Sequence, residues 1–159
     1  MLRGKFGHKN IISVDIADEK LSKAKEVGAT KVVNSSVSEP GKAIVEAAGG
    51  QVMAVIDFVG TNGTASMMTD LCAKGARWVN VGILGGSIEL SLVWAVFRSI
   101  SIMGSITGNP QQLQEVAALA REGKLPAVPV TTMSWNRVNE AFDLLRQGKV
   151  LGRIVLVRD

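Results

Sequence analysis

The sequence predicts an α/β fold built on a doubly wound parallel sheet. Short apolar runs alternate with stretches of helical spacing along the whole chain. The runs are apolar at consecutive rather than alternate positions, which suits strands buried on both faces with helices covering both sides. The chain has 159 residues, of which 47% are hydrophobic and 20% charged, enough for a real core in one domain of ordinary size.

The elements follow in order. Ile11-Ile12-Ser13-Val14-Asp15 reads as a buried strand ending in an acid. Asp18 fits an N-cap, Leu21, Ala24 and Val27 mark the helix after it, and Gly28 fits its C-terminal stop. Lys31-Val32-Val33 is a second strand. Ser38 opens a helix carrying Ile44, Val45 and Ala48, stopped by Gly49-Gly50. Val52 to Phe58 is a third strand, followed by a helix through Met67, Met68 and Leu71. Arg77 to Val81 and Ser99 to Met103 are further strands. Asn109-Pro110 combines an N-cap with proline at the first helical position. Leu113, Val116, Ala117 and Ala120 then share one helical face. Val138, Ala141, Phe142 and Leu145 mark the last helix, which ends before Gly148, and Ile154 to Val157 closes the chain as a strand. Pro126 and Pro129 mark the one plausible boundary, dividing residues 1–125 from a small C-terminal unit, 126–159.

Composition excludes several functions. The net charge is +4, but Lys and Arg are scattered. The one basic cluster is Arg3, Lys5, His8 and Lys9, which fits a solvated surface better than a nucleic-acid site. Cys72 is the single cysteine and His8 the single histidine, so an internal disulfide and a four-ligand Cys/His zinc site are both excluded. Cys72 reads as a small hydrophobe on an apolar helix face. The start lacks the apolar run of a signal peptide. The most apolar region, Leu90 to Ile106, is broken by Arg98 and several serines and does not suit a bilayer span. These features predict a cytoplasmic protein with neither a membrane nor a nucleic-acid partner.

Several strand ends carry candidate chemistry. Asp15 ends a strand that feeds directly into a helix. In a dinucleotide fold such an acid accepts hydrogen bonds from the adenosine ribose and repels a 2'-phosphate, favouring NAD over NADP. It serves equally well as a cap of the turn. Lys20, one turn later, either reaches back to the same ribose or is an ordinary solvated lysine. Val81-Gly82-Ile83 ends another strand, where a glycine lets the backbone approach a planar ring or simply turns the chain. Gly104-Ser105-Ile106-Thr107-Gly108-Asn109 is a tight turn at a strand end. Arg153 either forks onto a pyrophosphate or is a surface arginine.

In combination these segments resemble one family. Val14-Asp15-Ile16-Ala17-Asp18-Glu19-Lys20-Leu21, then Ala24-Lys25-Glu26-Val27-Gly28-Ala29 and Val32-Val33-Asn34, resemble the second strand and helix of the zinc-type, medium-chain alcohol dehydrogenases. Asp57-Phe58-Val59-Gly60, Val81-Gly82, Gly104-Ser105, Gly108-Asn109 and Gly148-Lys149-Val150-Leu151-Gly152-Arg153 follow in that family's order and spacing. The resemblance runs from about Asn10 to the end of the chain.

The resemblance implies a Rossmann-like sheet and NAD as cofactor. Asp15 and Lys20 match the residues that hold the adenosine ribose, and Phe58 and Val59 the slot beside the adenine. Val81, Gly82 and Ile83 match the wall beside the nicotinamide, and the backbone near Ser105 and Thr107 contacts its amide. Ile83 and Ile106 match positions near the substrate pocket, and Arg153 the arginine that reaches the pyrophosphate. The family's G-x-G-x-x-G turn should lie about twenty residues before Asp15, but only fourteen residues precede it. Gly4-Lys5-Phe6-Gly7 is not that turn, since no strand comes before it. The expected domain therefore lacks its first strand and its glycine-rich turn. Residues 126–159 match a helix and strand that the family assigns to its catalytic domain. Zinc is expected only in a full-length parent. In the order 3-2-1-4-5-6, loss of strand 1 leaves two apolar strands facing a gap. A homo-oligomer through the sheet edge around Ser99 to Met103 is a further expectation. The implied activity is alcohol to aldehyde or ketone with hydride passing to NAD, which this chain alone is not expected to perform. A non-catalytic nucleotide-binding or oligomerisation module, or part of a zinc-free quinone or enoyl reductase, are the alternatives.

Overall fold

The computed structural model describes Gly7 and residues 10–158. The basic cluster Arg3, Lys5, His8 and Lys9, and all of Gly4-Lys5-Phe6-Gly7 except Gly7, lie outside them. The chain forms two compact units, Met1–Leu113 and Gln114–Asp159, with the division inside a helix.

The first unit opens with β1 (Ile12–Asp15), α1 (Asp18–Glu26), β2 (Lys31–Asn34) and α2 (Pro40–Ala48). β1 and β2 pair in parallel, Val14 opposite Val33 and Asp15 opposite Asn34. The cap of α1 differs from expectation. Ala17 is its N-cap residue and makes no side-chain cap, while Asp18 is the first helical residue. Asp15 instead braces the turn before the helix, its Oδ1 accepting the Ala17 N–H at 3.0 Å. Asp18 and Glu19 still favour the positive end of the helix. α2 begins at Pro40 rather than Ser38, because a fixed φ and no N–H suit the first helical position. Gly49, with φ of 79°, ends α2 in the left-handed conformation that glycine adopts without strain.

β3 (Val52–Asp57), α3 (Asn62–Leu71), β4 (Cys72–Asn80), α4 (Leu92–Arg98) and β5 (Ser101–Gly104) follow. The strands form a parallel sheet of order β3-β4-β5. α3 is held by a reciprocal cap between Thr61 and Thr64. β4 starts five residues earlier than Arg77. Its pairing with β3 jumps from Val52–Cys72 to Ala54–Arg77, a bulge that absorbs the extra residues. Cys72 thus sits in a strand, not on a helix face, and is fully buried. Burial pushes its thiol pKa up, partly offset by the positive charge of Arg98. α4 is apolar at most positions, so no periodicity marks it in the sequence. Ser99, at φ 50°, ends α4 rather than opening β5.

One core joins both sheets of this unit. Val33, Ile44, Ala65, Met68, Leu71, Cys72, Ala76 and Trp78 pack together, with Ile12, Val55 and Ile100 against them. Residues of α2, α3 and α4 pack into this core against one face of the three-stranded sheet. Register puts Val55 and Trp78 on the face that meets this core, and Ala54, Ile56, Val79 and Met103 on the other. On that other face Ile56 is 43% and Met103 50% exposed. The strand orders β2-β1 and β3-β4-β5 leave β1 and β3 each with one unpaired edge among the described residues. This is the expected order interrupted where its first strand would lie.

α5 (Pro110–Arg121) starts as Asn109-Pro110 predicts. Asn109 and Gln112 cap each other, backbone N–H to side-chain oxygen, at 2.8 and 2.9 Å. In the second unit β6 (Val130–Ser134) pairs in parallel with β7 (Arg153–Val157), and a short 3-10 turn, Trp135–Arg137, leads into α6 (Val138–Arg146). β6 has no clear signal in the sequence, since Pro129 before it and two threonines within it obscure an apolar run. Gly152 has φ of 86°, and a Cβ there would lie 2.1 Å from the Pro129 carbonyl oxygen, so the β6–β7 junction requires glycine. Among the described residues no helix is long and apolar enough to cross a membrane.

Candidate cofactor site

The site grows from the carboxyl ends of β3, β4 and β5, where open parallel sheets bind ligands. Asp57 ends β3 and organises two loops. Its Oδ1 accepts the Val59 and Gly60 N–H groups at 2.8 and 3.1 Å. Its carbonyl accepts the Val81 and Gly82 N–H groups at 2.8 and 2.9 Å. The loops then run side by side, with Leu84 N–H to Val59 O and Gly86 N–H to Gly60 O. Ser87 N–H completes the link to the Asn62 side chain.

This zipper presents Val81, Gly82 and Ile83 to a cleft of about 270 Å³. Asn80 joins them on one side, and Gly104, Ser105 and Ile106 line the other. Ser105 is fixed by its N–H to the Asn80 carbonyl at 2.9 Å. The walls are mainly apolar, with an amide and a hydroxyl at hand, a lining that fits a flat ring bearing one polar edge. Of the two glycines, Gly82 has its reason in packing: a Cβ there would lie 2.1 Å from the Val59 carbonyl carbon. A Cβ at Gly104 would meet nothing within 4 Å, so there the glycine leaves open space in the cleft.

The predicted site residues fall into four groups. Val81, Gly82, Ile83 and Ser105 come together as cleft lining. Thr107 lies just beyond it, at φ 48°, a conformation unusual for a β-branched residue. Phe58 and Val59 sit on the zipped loop, with Phe58 73% exposed. Asp15 and Lys20 lie at the end of β1 and in the first turns of α1, both half-buried. Asp15 caps its turn, which leaves Oδ2 for a second partner. Asn34, its strand partner, donates to the Asp18 carboxylate at 2.7 Å and braces the same loop. Arg153 belongs to the second unit, where it opens β7 and donates to the Gly152 carbonyl at 3.2 Å.

Sequence reasoning missed Asn80 as a lining residue and Asp57 as the organiser. Asp57 stands in a recognisable Asp-Phe-Val-Gly string, but its link to Val81 and Gly82 depends on strand neighbourhood, which no local pattern carries. Among the described residues no three His, Cys, Asp or Glu side chains form a metal-binding group.

Comparison with known proteins bears on this geometry. Residues 2–122 match the zinc-binding dehydrogenase family. The NAD-dependent alcohol dehydrogenase of Sulfolobus acidocaldarius is 36% identical over 153 residues, covering 92% of this chain and 42% of that protein. An alcohol dehydrogenase of Geobacillus stearothermophilus is 33% identical over 147 residues, covering 92% and 43%. The crystal structure of the alcohol dehydrogenase from Aeropyrum pernix superposes with a TM-score of 0.86 at 32% identity, covering 93% of this chain and 42% of that one. The chain thus spans less than half the length of these relatives. It belongs to the zinc-binding dehydrogenase family and matches the C-terminal, cofactor-binding part of its alcohol dehydrogenases.

Proposed function

We propose that the chain is an NAD(H)-binding part of an alcohol dehydrogenase, in which the cleft seats the nicotinamide and the end of β1 meets the adenosine ribose. The observation that carries this reading is the convergence of Val81, Gly82, Ile83 and Ser105 on one cleft at the carboxyl end of the sheet. Asp15, Lys20, Phe58 and Val59 would hold the adenosine half. Ser105 and Thr107 would offer backbone groups to the carboxamide. Bound NAD supplies a hydride acceptor. The chain's own residues position it, through apolar walls and the Asp57 zipper.

Binding is expected to be weak. A glycine-rich turn contributes two or three charge-assisted bonds to the pyrophosphate, at roughly 1.5–3 kcal/mol each, and their loss weakens affinity by orders of magnitude. Alcohol oxidation would also need the zinc ligands of a catalytic domain, to which residues 126–159 would contribute a helix and two strands. The chain alone is therefore expected to show NADH binding by nicotinamide fluorescence at high concentration. It is expected to show no alcohol-dependent NADH formation, even with zinc added. Turnover above a no-protein control would contradict the second expectation, and a flat titration the first.

A second reading, self-association, is favoured by the exposed edge of β5. Each of its residues, Ser101 to Gly104, is exposed, and Leu92, Val93, Val96 and Phe97 on α4 are also exposed. Unpaired strand edges recruit partners. Light scattering is expected to give a mass that rises with concentration. A monomeric mass throughout would remove this reading.

A further inference from the structure

Asp57 is the one buried charged residue among the described residues, only 6% exposed. Two N–H groups satisfy its Oδ1, but its Oδ2 is buried without a hydrogen-bond partner. None of the described ion pairs involves it. An uncompensated carboxylate in such a place is costly, and its field is screened less than that of a surface charge. Register sets Asp57 directly opposite Asn80, and its carbonyl holds Val81 and Gly82. All three of those residues line the cleft. Neighbouring strands lie about 4.8 Å apart, so the carboxylate stands one strand behind the cleft wall.

The oxidised and reduced forms of a nicotinamide have nearly the same shape but differ by one positive charge on the ring. We propose that Asp57 selects the redox state of the bound cofactor, its buried carboxylate favouring the cationic, oxidised nicotinamide over the neutral, reduced one. This rests on the reading of the cleft as the nicotinamide seat. With the effective dielectric of a partly buried pair, the preference amounts to roughly tenfold in relative affinity. Asp57 thereby acts as a specificity-determining residue as well as the anchor of the two loops.

The test measures the dissociation constants of NADH, by nicotinamide fluorescence, and of NAD, by displacement of NADH, for the full chain and for Asp57→Asn. Asparagine keeps an acceptor oxygen for the Val59 and Gly60 N–H groups and removes the charge. The ratio of the NAD to the NADH dissociation constant is expected to rise roughly tenfold in Asp57→Asn. A folded variant with an unchanged ratio overturns the proposal and leaves the cleft assignment standing. Should Asp57→Asn fail to fold, the unsubstituted chain decides: NAD bound at least as tightly as NADH supports the proposal, and NADH bound tenfold more tightly overturns it. If the unsubstituted chain binds neither form at millimolar concentration, the cleft assignment fails and the proposal with it.

Discussion

Replacing Gly82 with valine is expected to destabilise the first unit by about 3 kcal/mol, the upper part of the usual overpacking range. The contact is backbone against backbone, so no flexible side chain can yield. A Cβ at Gly82 would lie 2.1 Å from the Val59 carbonyl carbon and 2.4 Å from its nitrogen. Gly60 faces the reverse problem: its φ is 69°, and a Cβ there would lie 2.2 Å from the Gly82 oxygen. Relief would require parting the two loops, which breaks the bonds from Leu84 to Val59 and from Gly86 to Gly60. A thermal melt should show a midpoint lower by roughly 6–12 °C. Gly104→Ala is the control. Its Cβ would enter open space, so stability should change by less than about 1 kcal/mol while the cleft narrows. Equal melting temperatures for Gly82→Val and the unsubstituted chain would show that the zipper is looser than described.

Trp78→Ala should cost about 3–5 kcal/mol, as large-to-small changes of buried aromatics do. Trp78 lies in the central strand β4, paired with Val55 and Ile102, and is 4% exposed. It shares its core with Met68 and Leu71 of α3, Ile44 of α2 and Val33 of β2. Its loss would therefore loosen both sheets of the unit together. Trp78→Phe separates volume from polarity. The indole N–H is buried without a partner, so removing it offsets part of the lost contact area. Urea unfolding should rank the alanine variant well below the phenylalanine variant. Similar losses for the two would show that the ring fills little of the core.

Much of the fold was legible because its signals are local. Asn109-Pro110 marked the start of α5, Gly49 the end of α2, and the apolar runs β1, β2 and β3 to within a residue or two. What stayed hidden depends on tertiary context. β4 begins inside what reads as a continuing helix pattern, since Cys72 and Ala76 are apolar in either setting and only the bulge opposite Val52 places them in a strand. α4 lacks a polar face, so its exposed Leu92, Val96 and Phe97 give no periodic signal. Asp18 looks like a cap, but Asn34, sixteen residues away, takes its carboxylate and leaves the turn to Asp15. The cleft residues at Val81 to Ile83 and at Ser105 were marked by the ordered set of family-like segments. Asn80 and the organising role of Asp57 required the strand register.

A nicotinamide seat between the ends of β4 and β5 is the feature on which the proposed function depends. Amide hydrogen exchange with and without millimolar NADH tests it most directly. Bound NADH is expected to slow exchange at Val81 to Ile83 and at Ser105 and Ile106. Protection confined to other segments, or no change at any NADH concentration, would contradict it.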